Sequence, residues 1–167
     1  MIVSRWPIPA AMMLVMTLLA GTPVAFAQSG VAGAKLDMWR PGDPGERLMM
    51  QGRVITSAGK PVAGAQIHVR QADGSGVYTQ RYSGTLTSAA DGSYGFGTAL
   101  PGQYSSAKHI HLFVSHPKLG SHSAEIRFKG DPNNADAAHD KDAIAVESAN
   151  INGVAVLLGE FNIVLPE

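Results

Sequence analysis

The chain contains no cysteine. Disulfides and thiolate metal sites are therefore closed to it, and an oxidising compartment is neither exploited nor excluded. It also lacks an excess of either charge: 13 Lys and Arg stand against 13 Asp and Glu. A neutral chain has no electrostatic footprint for nucleic acid or anionic lipid, so the expected partner is a small molecule. No repeat is visible at solenoid periods. The apolar run near the N-terminus, Ala10–Ala20, falls well short of the about 20 residues that span a bilayer.

That run has another reading. Arg5 precedes it, the breakers Gly21 and Pro23 follow, and Ala25-Phe26-Ala27 is a small-x-small triplet. This is the order of a cleavable secretory signal over residues 1–27, with export to the periplasm or beyond and no membrane attachment after cleavage. A single arginine gives no twin-arginine signal. Cleavage leaves Gln28–Glu167 with one more acid than base, a length suited to one domain with its own core. Residues 28–47 are rich in Gly, Ala and Pro and read as an irregular segment. Residues 48–167 read as the folded domain.

Within that domain, short apolar or alternating runs are separated by turn residues. Met49–Ile55, Ala65–Val69, Tyr94–Thr98, His109–Ser115, Ala124–Phe128 and Gly153–Leu165 read as strands. Ser57–Lys60 reads as a hairpin turn, and Asp73–Gly76, Ala90–Gly92 and Pro101-Gly102 read as further turns. Only Asn133–Ser148 has a weakly helical composition. The expected fold is an all-β, mainly antiparallel sandwich with few helices.

The chemistry concentrates in Tyr104–Val114. On a strand, residues two apart share a face, so Ile110, Leu112 and Val114 point to one side and His109, His111 and Phe113 to the other. Two imidazoles side by side suit one metal ion, and they equally suit a half-exposed surface strand. Tyr78 follows a Gly-rich turn, as an exposed loop aromatic would. Tyr104 follows Pro-Gly, as a corner residue capping backbone would. His68, His116, His122 and His139 read as surface residues, and Asp131–Asp136 as a solvated loop without EF-hand spacing.

Several segments in their order resemble the intradiol ring-cleavage dioxygenases. Gly52–Asp73 resembles the family's opening strands. Asp73-Gly-Ser-Gly-Val-Tyr78 resembles its D-x-x-G-x-Y, and Asp91-Gly-Ser-Tyr-Gly-Phe96 with Pro101-Gly-Gln-Tyr104 its D-G-x-Y-x-F and P-G-x-Y. His109-Ile-His111 matches the histidine pair, Arg127–Pro132 resembles Y-F-x-G-D-P, and Glu160–Leu165 resembles the closing strand. The resemblance implies a non-haem Fe(III) held by Tyr78, Tyr104, His109 and His111, acting on a small aromatic diol with O₂. It also implies that Tyr104 leaves the metal as a base. Hard Fe(III) favours anionic oxygen, which suits two phenolates.

The sequence departs from the family pattern in three places. Ser106 stands where the family has an arginine before the first histidine, leaving Lys108 as the nearby cation and candidate catalytic residue. Lysine is a point charge rather than a planar fork. Thr85 replaces a second family arginine, and the Tyr78–Tyr104 and Tyr104–His109 spacings are short, which implies a reduced pocket. Gly52–Tyr104 also resembles the non-catalytic binding modules of the carboxypeptidase-regulatory and transthyretin-like kind. Those modules give no reason for Tyr78 or for His109 and His111 on one face. A third reading is an exported metal-handling protein that uses the histidine pair alone.

Overall fold

The computed structural model describes residues 36–134 and 141–167. The signal over residues 1–27 and His139 lie outside them. The described residues form ten strands: β1 Leu36–Asp37, β2 Arg47–Thr56, β3 Gln66–Ala72, β4 Tyr78–Thr87, β5 Ser93–Ala99, β6 His109–His116, β7 Gly120–Arg127, β8 Val146–Ile151, β9 Val154–Glu160 and β10 Ile163–Leu165. They form two sheets. The first runs β1-β5-β2-β9-β8, with β10 also on β2, and the second runs β4-β3-β6-β7.

Each sheet turns one face inward, and alternation decides which. Leu48, Met50 and Val54 of β2 and Tyr94 and Phe96 of β5 are buried against Ile67 and Val69 of β3, Ile110, Leu112 and Val114 of β6, and Ile126 of β7. The second sheet is antiparallel throughout, whereas β1–β5, β2–β9 and β2–β10 are parallel pairs. β9 and β10 act as one interrupted strand along β2. At the interruption a Cβ on Gly52 would sit 1.8 Å from the Phe161 carbonyl oxygen, so only glycine lets the chains pass.

Some expectations need correcting. The turn after β2 closes only an isolated Ile55–Pro61 bridge, and the chain then crosses to the other sheet instead of forming a hairpin. The helical reading of Asn133–Ser148 fails at its end, where Val146–Ser148 begins β8. Part of the segment read as irregular contributes β1 and the buried Met38. No helix among the described residues is long and apolar enough to cross a membrane.

Candidate metal centre

The two tyrosine-bearing turns interlock through glycine. Asp73 Oδ1 accepts hydrogen bonds from the Ser75 N–H (2.9 Å), the Ser75 hydroxyl (2.8 Å) and the Val77 N–H (3.0 Å). Burial pushes this carboxyl up, but the bonds from Val77 and Ser75 outweigh it and hold the group below its ordinary range. Gly102 donates its N–H to the Asp73 carbonyl at 2.8 Å, and a Cβ on Gly102 would lie 2.3 Å from the Gly74 carbonyl oxygen. Gly76, at φ +85°, has equally little room: its Cβ would lie 2.6 Å from the Gln103 carbonyl oxygen. Bare backbone on both sides lets the turns touch, and the contact brings Tyr78 beside Tyr104.

A register break then aims Tyr78. Between Arg70↔Ser83 and Ala72↔Tyr78, two steps of β3 are spanned by five of β4. The odd surplus inverts the alternation of β4, so Tyr78 leaves the inward side of Tyr82 and Leu86 and joins the outer face of Arg70. Such bulges commonly re-aim a side chain at a functional site. β6 supplies the histidines on the same face, anchored from behind by fully buried Ile110 and Leu112.

Four side-chain atoms converge. Tyr78 Oη lies 3.2 Å from Tyr104 Oη, from His109 Nε2 and from His111 Nε2. Tyr104 Oη is 3.0 Å from His109 Nε2, which is 3.0 Å from His111 Nε2. His109 Nδ1 lies 2.7 Å from the Ala107 carbonyl oxygen, which can only accept. Nδ1 therefore carries the proton, and Nε2 turns a lone pair toward the centre. The two phenol protons and one on His111 Nε2 are then too few to bridge all five contacts. A cation at the centre resolves the crowding, because ligand atoms about 2.1 Å from a shared ion and at right angles lie about 3 Å apart. Two phenol oxygens and two imidazole nitrogens suit a hard or borderline cation.

The surroundings set protonation. Burial, then the hydrogen bond with Tyr104, pushes the Tyr78 phenol above its ordinary range, and the nearby Arg70 opposes the shift. Without a cation the phenol keeps its proton. Burial, then the charges of His109 and Arg70, lowers His111 against the pull of Glu125, which favours the neutral ligand form.

Two flanking residues were not anticipated. Arg70 places its guanidinium carbon 5.4 Å from the Tyr78 ring centroid and pairs across strands with His111. Glu125, opposite His111 on β7, brings Oε2 to 3.9 Å from His111 Nδ1 while Oε1 accepts from Arg127 Nε at 2.8 Å. Metal-ligating atoms of His109, His111 and Glu125 all lie within 4.8 Å of one another. Alternation puts Glu125 and Arg127 on one face, but nothing in a single chain tells which strand lies beside β6.

Lys108 directs its backbone N–H to Asp131 Oδ2 at 2.9 Å. Its parity is that of Ile110 rather than of the two histidines. Asp131 also accepts from the Asn133 N–H at 2.9 Å, so this carboxylate ties its loop to the entry of β6.

A two-layer β-sandwich carries Tyr78, His109 and His111 on the outer face of one sheet and Tyr104 on the adjoining β5–β6 loop, and the family this chain matches is a dioxygenase family. The chain belongs to the intradiol ring-cleavage dioxygenase family: a family model described as "Dioxygenase" matches residues 21–166. It is 30% identical over 141 residues to catechol 1,2-dioxygenase 2 of Acinetobacter lwoffii, covering 68% of this chain and 49% of that protein. It is 31% identical over 114 residues to the protocatechuate 3,4-dioxygenase beta chain of Burkholderia cepacia, covering 54% and 48%. The chain thus spans about half the length of the curated relatives it matches. Among solved structures, the dioxygenase domain of a dioxygenase carbohydrate-binding protein fusion from Streptomyces sp. SirexAA-E superposes with a TM-score of 0.66 at 26% identity, covering 79% of this chain and 87% of that one. Catechol 1,2-dioxygenase from Acinetobacter sp. ADP1 superposes with a TM-score of 0.71 at 18% identity, covering 80% and 57%, a likeness of fold.

Proposed function

We propose that this protein is a ferric intradiol dioxygenase that opens a catechol-type ring between its two hydroxylated carbons with O₂. The observation that carries the reading is the convergence of Tyr78 Oη, Tyr104 Oη, His109 Nε2 and His111 Nε2 within 3.0–3.2 Å contacts. These four side chains would hold the ion. When bound, ferric iron supplies a Lewis acid and electron acceptor that draws charge from a diolate and makes its ring open to O₂.

The protein's own part is geometry and protons. The Ala107 carbonyl fixes the His109 tautomer, and His111 is kept neutral. Tyr78 stands on a strand, whereas Tyr104 stands on the loop between β5 and β6. Tyr104 is therefore the side chain placed to swing, and its Oη, a phenolate while it holds the ion, would take the proton of an incoming diol hydroxyl and leave as the neutral phenol. Positive charge near the developing anion comes from Arg70, with Lys108 as the alternative. Iron-loaded protein should consume O₂ and catechol in equal amounts and release a ring-opened dicarboxylate. Iron-loaded protein that consumes no O₂ with catechol or protocatechuate would contradict the proposal.

Export is part of the same reading, supported by Arg5, the Ala10–Ala20 run and the Ala25–Ala27 triplet.

A further inference from the structure

The solvent face of the second sheet carries a file of rings that begins at the proposed metal centre and leads away from it. Tyr78 lies beside His111 with ring centroids 6.4 Å apart, His111 beside Phe113 at 6.1 Å, and Phe113 beside His68 at 6.2 Å. The register explains the file, since His68 pairs with Phe113 and Arg70 with His111. Phe113 is 47% exposed, although the apolar residues of β6 face the core. His68 is held in place, with Nδ1 3.1 Å from Thr85 Oγ1 and Nε2 3.2 Å from Ser83 Oγ.

Beyond Phe113 lies a shallow groove of about 450 Å³ whose lining includes His68, Phe113, Ser115, Ser121 and Ser123. Residues two apart on a strand are about 7 Å apart. Phe113 therefore stands roughly one aromatic ring away from His111, and Ser115 another ring beyond. An apolar platform rimmed by hydroxyls and an imidazole fits a flat ring bearing polar substituents.

We propose that this face is a second subsite, contiguous with the metal centre, for a diol whose ring carries a further hydroxylated aryl group. The inference rests on the catechol reading above. The first ring would be held by its two oxygens at the four-donor cluster. The second would pack on Phe113, with its hydroxyls toward His68 and the serines of the groove.

Two measurements test it. Phe113→Ala should lower kcat/KM about tenfold more for phenylcatechol than for catechol, mostly through KM. Equal losses on both substrates would overturn the subsite. Independently of iron, para-phenylphenol titrated into the metal-free protein should shift the backbone amide resonances of Phe113 and Ser123, and Phe113→Ala should abolish those shifts. Shifts confined to other faces, or none, would likewise overturn it. If neither diol is turned over, the catechol reading fails, and the titration still decides whether the aryl site exists.

Discussion

Tyr78 shows how far residue-level reasoning reaches. Plain alternation along β4 would send it inward with Tyr82 and Leu86, and only the three-residue surplus in the β3–β4 register turns it out. That surplus leaves no trace in composition or spacing. The histidine pair was legible because its alternation with Ile110 and Leu112 is local to one strand. Arg70 and Glu125 were not, because their place beside His111 depends on which strands become neighbours. The choice of cation also belongs to this scale. Arg70 stacks on Tyr78, whereas the described contact of Lys108 is a backbone hydrogen bond to Asp131. Arg70→Ala is predicted to lower kcat on catechol about tenfold. Lys108→Ala is predicted to change it less than twofold, because the contact to Asp131 is made by the backbone N–H, which alanine keeps. Steady-state O₂ uptake by the two variants checks both, and the reverse ranking would return the role to Lys108.

Strands with a clean apolar alternation, such as β3 and β6, could be read directly, to within three residues of their ends. β4 and β8 could not. The first half of β4 is exposed and polar, and β8 is half solvated along its length, so neither carries a strong period. The turns were visible as Asp-Gly and Pro-Gly punctuation, but not the way they interlock. That contact depends on Gly102 meeting Gly74 and on Gly76 meeting Gln103. Gly102→Ala is accordingly predicted to displace the Tyr104 loop from Tyr78 and to weaken iron binding at least tenfold while the sandwich stays folded. Competition with a ferric chelator, alongside circular dichroism, separates the two effects. Unchanged iron affinity in a folded variant would remove the interlock from the account.

At the scale of the molecule, a two-sheet core carries the site on an outer face, and the N-terminal segment braces that sheet from its edge. Asp43 accepts hydrogen bonds from the Arg81 guanidinium, the Tyr82 hydroxyl (2.9 Å) and the Arg40 N–H (2.8 Å). The Arg81 bond lowers its carboxyl to about 2, while burial and that carboxylate push the Tyr82 phenol up to about 12. Because the folded Asp43 is depressed below the unfolded value of about 3.9, its contribution is present above pH ~4 and fades as pH falls toward about 2. The sandwich class followed from strand and turn spacing, whereas the parallel placement of β9 and β10 along β2 is set by non-local packing. Everything functional turns on whether the four-donor cluster binds one ferric ion through its phenols. The direct measurement is a metal analysis with a visible spectrum of iron-loaded wild type and Tyr78→Phe. The account predicts about one iron per chain, a phenolate-to-iron charge-transfer band that shifts on adding catechol, and a weakened band in the variant. Colourless iron-loaded protein, or a band indifferent to the loss of Tyr78, would contradict it.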